Sequence, residues 1–405
     1  MTVKGLPTSV QWPEHWRNVP LWAMFDRVKD VGHPDEEMLS VYRTHGVIRK
    51  SSRDDNTNQT AENRDIYQLV DNGWFIVNRM KAWQGSVGIS RLRGIVSGHY
   101  LCFRPSHQED PRFLNWLLRS AIYTTEYARM SRGVRPGQIE IDNDELRGLR
   151  VALPLLDEQR RIAAFLDTES ARIDGLVSDQ LRMHKLLEER ADSRILELVG
   201  QSRLADPSGT AIGPIRRFLM KLNRTTKPTE DVITAFRDGQ VTSRSRRRSE
   251  GYTLAASAEP QGQGVEVGDV VVHGLDGFAG AIGDSEAVGN CSPVNHVCAP
   301  MGGGNPTFYG RLLRVLAADG YLGLFASSTR ERAVDFRSWD LFGDIPIPLV
   351  DLRVQHDIGN LVASVRPLRE EIGRFNTRFA ERRQALITAT VTGQIDVTTA
   401  RGLST

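Results

Sequence analysis

The stretch Leu153–Leu198, LPLLDEQRRIAAFLDTESARIDGLVSDQLRMHKLLEERADSRILEL, has no proline after Pro154 and a single glycine, Gly175. Ile162, Leu166, Ile173, Leu176, Met183 and Leu187 recur at helical spacing among Arg, Glu and Asp, which makes one apolar stripe on a charged rod. A helix of about forty residues is roughly 60 Å long at ~1.5 Å per residue, longer than an ordinary domain core requires. The pattern predicts a coiled-coil spacer. A second rod lies near the C-terminus, where Ile358, Leu361, Val365, Leu368, Ile372, Phe375, Phe379, Arg382 and Leu386 step by three and four. Pro367 is expected to bend or interrupt that helix, because it lacks an N–H and its ring crowds the preceding turn.

The rest of the chain is organised around these rods. An aromatic-rich opening with Trp12, Trp16 and Trp22 leads to a polar, basic stretch, Gly46 to Asn63, that reads as an exposed loop. Short apolar runs punctuated by glycine follow, as in DNGWFIVNRMKAWQGSVGIS, which is strand and turn chemistry. Phe113 to Ala128 reads as a helix, and the first rod comes after it. Ser202 to Pro214 reads as a linker by its Pro, Gly and Ser content. Residues 215–345 then repeat the first part. Gly73, Gly85, Gly88 and Pro105 are matched by Gly268, Gly280, Gly283 and Pro300, each 195 residues on (268 − 73). Phe113, Leu117, Leu118 and Arg119 recur at Phe308, Leu312, Leu313 and Arg314 with the same shift. The chain is a duplicated unit of globular head and long helix. The expected division is a head at 1–150, a helix at 151–201, a linker at 202–214, a second head at 215–345, and a helix with tail at 346–405. The expected fold class is α+β, with two heads related by a pseudo-two-fold duplication and separated by two long antiparallel coiled-coil helices.

The segments LPLLDEQRRIAAFLDTESARIDGLV, IPIPLVDLRVQHDIGNLV and LITATVTGQIDV resemble the conserved regions of type I restriction–modification specificity (S) subunits. The glycine-rich runs between them resemble the target-recognition domains of that family. In the second copy Pro348 is separated from Gln355 by two more residues than Pro154 from Gln159. The resemblance implies a non-catalytic subunit whose two target-recognition domains each read one half of a bipartite, asymmetric site in double-stranded DNA. It also implies docking of two modification subunits and of restriction subunits, which carry S-adenosylmethionine, ATP and Mg. The alternative is an orphan or anti-restriction adaptor that occupies modification subunits without a useful DNA target.

DNA recognition needs cations for phosphates and forked or amide side chains for base edges. In the first head Arg43, Arg49, Lys50, Ser51, Ser52 and Arg53 cluster, and Arg79, Lys81, Trp83, Arg91 and Arg93 surround the central glycines. In the second, Lys221, Arg224 and Lys227 precede Arg237, Arg244, Arg246, Arg247 and Arg248, the densest positive run in the chain. The net charge of only +2 means that affinity for DNA must come from such local patches.

Other chemistry is poorly supported. Cys291, His296 and Cys298 lack a fourth ligand and a CxxC pair, so no metal is expected. GNPTFYG (Gly304–Gly310) is similar to the Asn-Pro-Pro-aromatic motif of adenine methyltransferases. Its third position is Thr307 and no glycine-rich cofactor loop precedes it, so Asn-Pro reads as helix punctuation. No Walker motif is present. No run of eighteen apolar residues or N-terminal signal pattern occurs, and the three cysteines suit a reducing compartment, so the expectation is a cytoplasmic protein.

Overall fold

The computed structural model describes residues 6–7, 10–52, 63–133, 138–205, 212–227, 231–247, 262–325 and 336–397. It divides into two compact units, Met1–Ser178 with Phe375–Thr405, and Asp179–Arg374.

In the first unit an antiparallel sheet runs in the order Phe25–Val28, Tyr100–Pro105, Phe75–Asn78, Val87–Ile89. In the second the order is Leu219–Lys221, Asn295–Pro300, Val270–His273, Ile282–Asp284, the same topology strand for strand. Each unit adds a hairpin, Leu39–Tyr42 with Gly46–Arg49 and Ile233–Ala235 with Val241–Ser243. Each also closes on itself, because Arg17–Pro20 pairs with Arg150–Leu153 and Ile212–Pro214 with Pro346–Pro348. The end of each head is thereby fixed just before a long helix begins. The duplication read from the sequence is a duplication of fold.

The first long helix spans Leu156–Ala205 and the second Leu352–Val391. In the first unit Ile162, Phe165 and Leu166 share a core with Phe113, Trp16, Ile387, Val391 and Val397, and Asp174 pairs with Arg383 at 2.8 Å. The helix segments therefore run antiparallel there. In the second unit Ile195 and Val199 share a core with Phe308, Leu312 and Ile358, and Glu188 pairs with Arg369 at 3.2 Å, again antiparallel. Each head core is completed by the start of one helix and the end of the other.

Several expectations change. The first helix begins at Leu156 and continues to Ala205, into the stretch read as a linker. The second passes through Pro367 without a break, since the tertiary contacts on both sides hold the turn that lacks one hydrogen bond. The Phe113–Ala128 helix is two helices, Pro111–Leu118 and Ala121–Arg129, the second starting after Ser120 in extended conformation. Gly46–Arg49 is a strand, because it pairs with Leu39–Tyr42 and half-buries Val47 and Ile48, and Lys50–Ser52 is a short 3-10 turn. Of the stripe residues Ile162, Leu166, Ile173, Ile358 and Val365 are buried, and Leu187, Leu361, Leu368, Ile372 and Phe379 are half-buried. Leu176 and Phe375 are 47% and 43% exposed, because helix-on-helix contact buries only a narrow seam of each partner.

Each head is tied to its helix by one glutamine. Asp110 caps the helix Pro111–Leu118 through its carboxylate, and its N–H donates to Gln159 Oε1 at 2.9 Å. Gln159 Nε2 donates to Pro154 O at 2.9 Å. In the second unit Asn305 caps Pro306–Ala318, its N–H donates to Gln355 Oε1 at 3.2 Å, and Gln355 Nε2 donates to Val350 O at 2.8 Å. Both glutamines are the fourth residue of their helices, so the two extra residues after Pro348 lie ahead of the helix, where Asp351 Oδ1 accepts from Arg353 N at 2.8 Å. Gln159 is 0% exposed, so Gln159→Leu leaves a buried backbone donor and acceptor unmet. The expected loss is about 2 kcal/mol in the first unit, measured by denaturant or thermal unfolding of the full chain.

Candidate nucleic-acid interface

In the first unit the hairpin turn carries Arg43, exposed, between Tyr42 and Gly46. Gly46 needs its φ of +70°, and a Cβ there would lie 3.2 Å from the guanidinium of Arg119 beneath it. Arg119 Nη2 donates to Arg43 O at 3.2 Å, and burial, with Arg383 nearby, lowers its pKa to about 10. The turn after Asn78 lies alongside. Asn78 Oδ1 accepts from Met80 N at 3.1 Å and Lys81 N at 3.2 Å, and a Cβ on Gly85 would come 3.8 Å from Arg43 Cγ. Lys81 is exposed, whereas Trp83 is half-buried and donates from Nε1 to Met80 O at 3.1 Å.

The second unit builds the same two turns from different side chains. Gly239, with a φ of +84°, sits against Arg314 as Gly46 sits against Arg119. His273 Nδ1 accepts from Asp276 N at 3.0 Å, taking the place of the Asn78 side chain. Asp276 stands where the first unit has Lys81, and it pairs with Arg237 at 2.9 Å. The turns are thus cationic in the first unit and internally neutralised in the second.

Many of the basic residues singled out in the sequence are committed to carboxylates of their own unit. Arg49 pairs with Glu37 at 2.7 Å, and Ser51 Oγ donates to Glu37 Oε1 at 3.3 Å. Arg79 pairs with Glu140 at 2.6 Å. Arg93 pairs with Glu36 at 2.7 Å and Asp71 at 3.0 Å, and these hydrogen bonds raise its pKa. Arg224 pairs with Asp269 and Lys227 with Glu266, which the lysine's hydrogen bond holds below the usual carboxylate range. Arg244 Nε donates to Thr234 Oγ1 at 3.2 Å. Arg247 stacks on Phe236 at 4.3 Å and pairs with Asp238 at 2.9 Å. Lys50 is half-buried, Lys221 is exposed, and Arg246 is exposed with no carboxylate partner among the described residues. Arg53 and Arg248 lie outside the described residues. Arg119 and Arg314, which support the turns, were visible in the sequence only as one of the repeat's matching pairs.

The remaining motifs resolve into structure. Asn305 Oδ1 accepts from Phe308 N at 2.9 Å, so Asn-Pro here caps a helix. Cys291 and Cys298 are buried, and burial pushes both thiols up to about 12. Among the described residues no three His, Cys, Asp or Glu side chains are grouped to hold a metal ion. Likewise no described helix is long and apolar enough to cross a membrane.

The family model of the Type I restriction modification DNA specificity domain matches residues 34–177. A chain in a structure explaining complex assembly and conformational transition of the type I R-M system aligns over 95% of this chain and 100% of its own, with a TM-score of 0.62 at 14% identity. The fold is shared with that chain over nearly its whole length. The HsdS subunit of Thermoanaerobacter tengcongensis aligns at a TM-score of 0.47, covering 96% of this chain and 99% of its own at 14% identity. The S subunit of M. genitalium aligns at 0.44, covering 96% and 97% at 14% identity. Neither carries weight beyond the first. No curated protein matches the sequence.

Burial lowers the pKa of both His273 and His296, although the hydrogen bond of His296 Nε2 to Phe336 O acts the other way, so folding disfavours the charged form of both rings. The unfolded chain then takes up protons first as pH falls, and stability conferred by the neutral rings is lost below their ordinary value of about 6.5. The thermal midpoint of the second unit is expected to drop between about pH 7.5 and about pH 5.5. His273→Asn, which restores the residue of the first unit, should flatten that dependence in calorimetry across the same range.

Proposed function

We propose that this chain is the DNA sequence-specificity subunit of a type I restriction–modification complex. Its two heads are target-recognition domains that read the two parts of a bipartite, asymmetric site in double-stranded DNA. Modification and restriction subunits dock on it and supply methylation and cleavage, with S-adenosylmethionine, ATP and Mg on those partners. The observation that carries this reading is one frame used twice with different side chains at the turns: Arg43 and Lys81 in the first unit, Arg237 and Asp276 in the second. Identical heads would read a symmetric target, whereas these present different surfaces.

In this reading the exposed cations Arg43, Lys81 and Arg246 contact phosphates. The paired ones, such as Arg79, Arg224 and Arg247, shape the loops. Neutralising phosphates releases counterions, so affinity of the assembled complex for DNA falls steeply with salt. Arg246→Ala should lower the slope of log K against log salt by about 1 and weaken all sequences alike, with the thermal midpoint unchanged. Arg247→Ala removes an ion pair and a ring stack inside the hairpin and should lower the thermal midpoint as well. Salt titration of DNA binding by the complex, beside calorimetry of each variant, separates the two.

The decisive experiment exchanges residues 17–153 for the corresponding head of another specificity subunit and maps methylated sites in cells carrying the complex. One half of the target should change and the other stay. An altered pattern at both halves, or none at either, would refute two independent reading heads.

A further inference from the structure

We propose that each head is keyed to its long helix by charges of opposite polarity, so that the two halves of the duplication cannot replace one another. The registers are set by matched residues: Gln159 with Gln355, and the buried Ala191 and Ile195 with the buried Ile387 and Val391, each 196 apart (355 − 159).

In the first unit the helix offers an acid and the head offers donors. Trp116 Nε1 donates to Asp167 Oδ1 at 2.9 Å, with Arg91 and Arg112 at 3.9 and 3.8 Å from the same carboxylate. In the second unit the polarity is reversed. Arg366 of the helix donates to both carboxylate oxygens of Asp284, Nη1 to Oδ2 at 2.9 Å, and lies 3.8 Å from Glu286. Thr307 Oγ1 donates to the same carboxylate at 2.8 Å, and Asp284 is 5% exposed. Burial opposes the Arg366 charge, yet the Asp284 hydrogen bonds and charge keep its pKa raised. Position by position, Ile89, Arg91 and Arg112 of the first head stand where the second has Asp284, Glu286 and Thr307. On the helices, Ser170 and Asp167 stand where the second has Arg366 and Ala363.

The matching position to Trp116 is Arg311, and it faces the end of the other helix. Arg311 Nη2 donates to Asp192 Oδ2 at 2.9 Å, and Glu188 lies 3.8 Å away. In the first unit those helix positions are Thr388 and Gln384, without charge.

A wrong combination leaves charges unmatched. The second head placed on the first helix would set buried Asp284 against Ser170, bring Glu286 towards Asp167, and put Thr388 and Gln384 where Arg311 has Asp192 and Glu188. The first head placed on the second helix would surround Arg366 with Arg91 and Arg112 and give it no carboxylate. Removing one partner of a buried ion pair costs far more than the intact pair contributes, so such mismatches act as repulsive elements. The keyed seats fix which head follows which helix, and they exclude the wrong head of a second copy. With the heads read as target-recognition domains, as proposed above, the keys also fix the order of the two half-sites.

The test uses the full-length chain and needs no DNA, so its failure is separate from failure of that reading. In one chimera residues 212–348 replace residues 17–153, which places the second head in both positions. Limited proteolysis should cleave the head in the first position about tenfold faster than the identical head in its own place. Adding Ser170→Arg with Asp167→Ala should recover most of that protection. Equal protection without those changes, or no gain from them, overturns the proposal. A charge exchange in the parent chain provides the second readout. Asp284→Lys and Arg366→Glu should each expose the second head to protease, and the double variant should be more resistant than either. A double variant no better than the singles also overturns it.

Discussion

A buried amide satisfied from both sides holds each head in place. Gln159 and Gln355 each accept from the backbone N–H of a helix-capping residue and donate to a carbonyl just ahead of the long helix. A glutamine can do both at once because its amide carries an acceptor and donors on adjacent atoms. Both glutamines are buried, so losing either bond leaves a polar group unmet, and the head helix and the long helix are held in angle and register. The sheet packs on the head helix, and the hairpin turn rests on Arg119 or Arg314 near the end of that helix or just beyond it. The presentation of each turn therefore traces back to one side chain.

On this common frame the two units diverge in charge. The first leaves Arg43 and Lys81 exposed on neighbouring turns, and the half-buried Arg119 below them feels the charge of another cation, Arg383. The second pairs Arg237 with Asp276, and Arg314 has Arg311 as well as Glu188, Asp192 and Asp238 around it, with burial the main cause of its lowered pKa. Unpaired cations at a surface attract phosphate, while paired ones are held rigid and present shape and hydrogen-bond donors. A duplicated scaffold can vary these pairs without disturbing the glutamine lock, since they lie at the opposite end of the head helix.

Each core also depends on residues far away in the chain. Ile387, Val391 and Val397 fill the first core beside Trp16 and Phe113, and Ile195 and Val199 fill the second beside Phe308. Neither head is a self-contained stretch of sequence, because an apolar face of each helix end would otherwise stay in water.

The two rods, the repeat at a shift of 195, the α+β class and the family resemblance were all legible in the sequence, because helical periodicity and glycine-dependent turns are local signals. The apolar stripe pointed inward at Ile162, Leu166, Ile358 and Val365, which are buried, but not at Leu176, Met183 and Phe375, which are exposed. The same reasoning could not show that Pro367 would be carried inside a continuous helix, since the contacts that hold it come from elsewhere in the chain. Nor could it tell which arginines are available. Arg79 and Lys81, or Arg246 and Arg247, look alike in sequence, yet one of each pair is tied to a carboxylate that folding brings near: Glu140 in the first case, Asp238 in the second. Periodicity fixes which way a side chain faces. Only the tertiary structure decides what it meets there, because charge pairing depends on distance in space and that distance is set by the whole fold.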